Sequence, residues 1–171
     1  MRRNFATVVG LVLLSTCGWA QEQRQPPAPS KSIKANFEDI NRKVLDMAKD
    51  FPEDKYGYRL TKDMRPFGDV IVHITSGNIF GAKAGRGENV KWDELDPKDY
   101  KGKSAIVAAL QKSIDDANST LKASPEERWA KTLYPWVAVI EHAGEHYGQL
   151  VTYYRANGLV PPESRKPPKS E

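Results

Sequence analysis

"EHAGEHYGQL", residues 141–150, decides how the rest of the chain is read. His142 and His146 stand four apart in it, so on a helix both imidazoles lie on one face about a turn from each other. The chain has only three histidines, and this segment uses two of them. Gln149 and Tyr153 extend the same face toward the C-terminus. Stop signals follow, with Gly158 and then Pro161 and Pro162. A helix is therefore expected from just after Pro135 to about Asn157.

Three more helical patterns lie upstream. From Ser32 to Phe51, Ile33, Phe37, Ile40, Val44, Leu45 and Met47 recur at threes and fours, with Ser32 as the expected cap and Pro52 as the stop. A second helix is expected from Thr61 or Met64 to near Ala82. Phe67, Val70, Ile71, Ile74 and Phe80 form its apolar face, and it carries the third histidine, His73. The third runs from about Ser104 to Lys122 on Ile106, Val107, Leu110, Ile114, Ala117 and Leu121. "SPEE" (124–127) reads as a capping box opening a short helical turn, with Ser124 as cap and Glu127 reaching back. Between the second and third helices lies a long, charged, glycine-bearing loop of the kind that serves as a lid or mobile segment. Four long helices with no credible strand predict an all-α four-helix bundle, an architecture that builds metal and ligand sites from side chains on facing helices.

The ends read differently. "MRRNFATVVGLVLLSTCGWA" (1–20) has two arginines, a short apolar run and small residues before Gln21, the layout of a secretory signal peptide cleaved after Ala20. "LSTC" loosely resembles a lipobox, so a lipid anchor on Cys17 is the alternative. Residues 21–31 read as a proline-rich disordered linker, 32–164 as the bundle and 165–171 as a disordered tail. Export to the periplasm or beyond follows. Cys17 is the only cysteine, so the mature chain would hold no disulfide and no thiol nucleophile. The formal net charge is +4, but loss of Arg2 and Arg3 leaves 24 basic residues against 22 acidic, a balance of +2. Acids and bases are interleaved, and nucleic acid is not an expected partner. The apolar run of the leader is too short for a transmembrane span.

Three neutral imidazoles suit a divalent first-row cation, zinc first, with nickel or iron also fitting. If His73 meets His142 and His146 across the core, three protein ligands leave one coordination position open. "HAGEH" also fits H-x-x-E-H, a zinc-peptidase motif. That chemistry needs an acidic ligand from a later helix, and the only later acids, Glu163 and Glu171, sit in the proline-rich end. Glu145 is then expected on the solvated face or as a partner orienting a ligand imidazole. Gly144 and Gly148 suggest a close helix approach or room for a ligand. Trp129, Trp136, Tyr153 and Tyr154 could wall a pocket, with core packing the more ordinary use. Asn78 lies about 140° around an ideal helix from His73, away from any shared metal.

"HAGEHYGQLVTYYRANGLVPPES" (142–164) resembles the last helix of the DinB/YfiT-like superfamily, with two histidines four apart, a following Gly-Gln and an "NG-V-PP" ending. "RPFGDVIVHITSGNIF" (65–80) resembles the family's second helix, with one histidine and a following "N-x-F". The resemblance implies an up-down-down-up bundle whose His73, His142 and His146 hold a divalent metal, and relatives that are often homodimers. Some relatives transfer low-molecular-weight thiols. Tyr147 here stands where an arginine often precedes Gly-Gln, and export separates the chain from cytosolic thiols. The expected function is a metal-dependent hydrolase or transferase acting on a small molecule. The alternative is a non-catalytic ligand- or partner-binding bundle with a structural metal or none.

Overall fold

The computed structural model describes residues 26–166. The expected signal peptide, Cys17 and the end of the tail lie outside the described residues. Among the described residues five α-helices form: α1 (Pro29–Asp50), α2 (Phe67–Gly85), α3 (Gly102–Ala123), the short α4 (Glu126–Lys131) and α5 (Trp136–Ala156). No strand occurs among the described residues. None of the described helices is long and apolar enough to cross a membrane.

The helix starts differ from expectation for local reasons. α1 begins three residues ahead of Ser32, because Pro29 occupies the first turn with its φ already helical and needs no N–H there. α2 begins at Phe67 rather than near Thr61 or Met64. A residue before proline is driven out of the α region, so Arg65–Pro66 ends the connector and Pro66 stands at the cap position. The capping box at 124–127 does not form. The Ser124 hydroxyl instead donates to the Thr120 carbonyl at 2.9 Å, serving an orphan acceptor at the end of α3, and α4 starts without a side-chain cap. The end of α5 is as expected: Gly158 takes φ +70°, and Leu159 N–H donates to the Tyr154 carbonyl at 3.0 Å.

α1 packs against α3 and α5, and α2 against the same two, so the long helices form a ring of four neighbours. Phe37 near the start of α1 meets Trp136 at the start of α5, with ring centroids 5.7 Å apart. At the other end the Tyr154 hydroxyl donates to the Met47 carbonyl at 2.8 Å. Arg86, just past α2, pairs with Asp116 and Thr120 in the later part of α3. The Tyr153 hydroxyl near the end of α5 donates to the carbonyl of Arg65, just before α2, at 2.6 Å.

The periodic apolar positions supply the core. Phe51 stacks on Phe67 with centroids 3.9 Å apart, and Tyr154 closes over both. Full burial of each such side chain contributes roughly 1.5–3 kcal/mol. Trp129, Trp136, Tyr153 and Tyr154 are all buried in the core, and the two tyrosine hydroxyls are hydrogen-bonded as well. Of the two uses expected at Gly144 and Gly148, a close helix approach or room for a ligand, the close approach is found elsewhere: a Cβ on either would meet nothing within 4 Å. Gly77, Gly81 and Gly85 provide it instead. Spaced by fours on α2, they lie against His142, Val139 and Trp136 of α5, and a Cβ at Gly85 would come within 2.4 Å of Trp136. The start of the C-terminal segment is also held: Glu163 pairs with Arg42 at 2.6 Å and Arg165 with Asp50.

Candidate metal centre

His73 is carried on α2, His142 and His146 on α5, and the glycine-lined contact between these helices brings them together. One potential ligand atom from each lies within 4.8 Å of the others, and all three residues are partly buried. Their ring centroids are 4.6–4.7 Å apart. The closest nitrogens, Nε2 of His73 and Nε2 of His142, are separated by 2.9 Å.

Hydrogen bonding at the outer nitrogens fixes which atoms are free. His73 Nδ1 lies 2.6 Å from Glu94 Oε1. A carboxylate only accepts, so the neutral ring carries its proton on Nδ1 and leaves the Nε2 lone pair facing inward. His146 is set through a longer relay. The Arg65 carbonyl can only accept, so the Tyr153 hydroxyl donates to it and offers a lone pair to the Gln149 amide NH2 at 3.0 Å. That turns Gln149 Oε1 toward His146 Nδ1, 2.9 Å away, and His146 is left with a bare Nε2. Burial pushes the Tyr153 phenol above its ordinary pKa, so it stays a donor at neutral pH.

Electrostatics keeps the His73 and His142 imidazoles neutral. His142 is pushed down to about 4, by burial first and then by the neighbouring His146 and His73. His73 is also lowered, chiefly by burial, with the hydrogen bond to Glu94 opposing. The Glu94 carboxyl is raised by partial burial, but hydrogen bonds from Trp92 and His73 outweigh this and hold it below its ordinary value. Unprotonated nitrogens are what a cation requires. Donors on one tetrahedral zinc stand about 3.3 Å apart, given Zn–N distances near 2.0–2.1 Å. The observed spacings bracket that value, so the cluster could hold a divalent metal with small side-chain adjustment.

Gln149 and Tyr153 therefore meet His146 as a hydrogen-bonded relay. Glu145 does not orient an imidazole in this way: it is exposed on α5, and the carboxylate at the cluster is Glu94. Three contributors were not foreseen: Glu94, Trp92 and Gly77. Trp92 sets its ring 5.0 Å from His142 and 5.7 Å from His73, and its indole N–H donates to Glu94 Oε2 at 3.1 Å. Gly77 makes room for His142, whose Nδ1 would be 2.8 Å from a Cβ there. Asn78 points away from the cluster, to Asn41 and Ser113.

A search of curated proteins returns no match. The DinB superfamily model matches residues 36–150, which take in α2, α3, α4, all three histidines and Glu94. That span is well over half of the chain, and the protein belongs to the DinB superfamily.

Proposed function

We propose that His73, His142 and His146 hold one divalent cation, zinc in the first instance with nickel or iron as alternatives, and that the protein is a metal-dependent hydrolase or transferase for a small molecule. The observation that carries this reading is the convergence of three imidazole ligand atoms within 4.8 Å, two of them with their protons drawn outward. A cation held by three protein ligands supplies Lewis-acid activation of a substrate atom or a water at the position left free. The chain's own residues do the rest. Glu94 and Gln149 hold protons on the outer nitrogens of His73 and His146, Tyr153 keeps Gln149 from turning over, and Trp92 packs edge-on against His142.

Metal analysis of protein purified without an affinity tag tests the reading. About one equivalent is expected, lost in His73→Ala. Less than about a tenth of an equivalent, or uptake unchanged by the substitution, overturns it.

A second reading is favoured by one contact. At 2.9 Å His73 and His142 can hydrogen-bond to each other with no ion present, as a non-catalytic binding bundle would allow. Chelation separates the two. A structural metal's removal lowers Tm sharply, whereas an open reactive site gives up its metal with a small change.

We further propose the up-down-down-up course, with the bundle spanning 32–164. It is supported by the pairing of like ends of α1 with α5 and of α2 with α3, and of opposite ends of α2 with α5. Export through residues 1–20, or anchoring through Cys17, belongs to the same proposal. Mass spectrometry of the mature N-terminus tests it: a chain starting at Met1 would end it.

A further inference from the structure

The geometry points to Glu94 as the positioning residue of the metal centre, setting metal affinity through His73 from the α2–α3 connector. The inference rests on the three-histidine reading above. An imidazole that is neutral has one proton and two nitrogens. Which nitrogen can bind a cation is decided by what takes the proton on the other. Glu94 Oε1, 2.6 Å from His73 Nδ1, takes it, so His73 presents Nε2 toward His142 and His146.

The carboxylate is itself held on both sides. Its second oxygen accepts from the Trp92 indole at 3.1 Å. The next residue, Leu95, donates its backbone N–H to Ser76 Oγ at 3.0 Å. Ser76 lies three residues after His73 on α2, so the connector is pinned to the helix that carries the ligand. Arg65 reaches the same carboxylate at 3.4 Å, a weaker contact. The connector is thereby a working wall of the site. A ligand imidazole backed by a carboxylate is both oriented and more basic, and loss of such a partner costs about 10–100-fold in metal affinity.

Two measurements on the full chain test this. In the metal-free protein, nitrogen NMR of the imidazoles is expected to show His73 protonated on Nδ1, and Glu94→Ala to shift the proton toward Nε2. Competition with a chromophoric chelator is expected to give Glu94→Ala a zinc Kd about 10–100-fold weaker than wild type. Glu94→Gln, which keeps an acceptor oxygen but no charge, falls between. Asp93→Ala removes one charge from the adjacent exposed position and is expected to leave both readouts unchanged. Glu94 is itself 40% exposed, so its substitution leaves the core intact. A Glu94→Ala Kd within about twofold of wild type, or an equal loss in Asp93→Ala, overturns the role of Glu94 while the metal centre stands. A wild-type protein that takes up no zinc, nickel or iron sinks the metal centre and this inference together.

Discussion

Two polar clusters lie inside this bundle, and they are built on opposite principles. Asn41, Asn78 and Ser113 come from α1, α2 and α3 and are all essentially inaccessible to solvent. Every contact there matches a donor to an acceptor. Asn78 Nδ2 donates to Asn41 Oδ1 at 2.8 Å and reaches Ser113 Oγ at 3.4 Å. Asn41 and Ser113 pass their own protons to the carbonyls of Phe37 and Leu110. The histidine cluster, less than two turns away along α2, does the reverse. At His73 and His146 the outer nitrogen is satisfied, and the inner one turns its lone pair toward the space the three rings share. A closed network can only lock helices together. A cluster that concentrates acceptors leaves work for a cation.

The largest test of that contrast is Asn78→Ala. It strips Asn41 Oδ1 of its donor in a site closed to solvent, and an unsatisfied buried polar group costs about 1–3 kcal/mol. Urea unfolding of the metal-free protein is expected to register that loss while metal uptake stays at the wild-type level. His73→Ala is expected to do the opposite, abolishing uptake with little change in metal-free stability. Equal effects of either substitution on both readouts would erase the distinction between the clusters.

Much of this is legible in the sequence alone. Helical spacing joined His142 to His146, put Asn78 off the metal-facing side, and marked the buried faces of α1 and α3. Periodicity has nothing to say about a connector. Glu94 reaches His73 because the backbone is pinned at Leu95–Ser76, a tertiary contact across 19 residues that leaves no repeat in the sequence. The only local trace is Trp92 and Leu95 set three apart in the charged stretch "KWDEL". The glycines show the same limit. Gly144 and Gly148 stand beside the histidines in sequence, but a glycine matters through what faces it, and it is Gly77 that faces His142. The start of α2 departs from the apolar period for a local reason: Pro66 drives Arg65 out of the helical region, so the helix opens at Phe67.

Acid separates the clusters by a smaller effect. The asparagine network has no titrating group, whereas His73 and His142 have folded-state pKa values below the ordinary 6.5. The unfolded chain therefore binds more protons than the folded one between those values, and stability falls as pH drops through that window. For His142 the loss begins near 6.5 and is complete a little below about 4. Metal-free wild type is expected to lose Tm steadily over this range, and His142→Ala to flatten the slope. Asn78→Ala shifts the curve down without changing its slope. Carboxylates such as Asp50, lowered by the hydrogen bond from Arg165, add their loss at still lower pH.

The smallest effect comes from one substitution made on two helices. Gly144 and Gly77 are both interior to helices, where alanine is favoured over glycine by up to about 1 kcal/mol. At Gly144 the added methyl meets nothing within 4 Å, so Gly144→Ala is expected to raise stability by about that amount and leave zinc affinity alone. At Gly77 the same methyl arrives 2.8 Å from His142 Nδ1 and 3.1 Å from the Trp92 ring. The helix gains as much, but the imidazole must move, and the gain is offset by strain. Because the intrinsic helix term is common to both, the difference between the two variants in chemical denaturation and zinc titration isolates the contact with His142. If Gly77→Ala keeps wild-type affinity, His142 has room to relocate, and the histidine cluster is less tightly built than its asparagine neighbour.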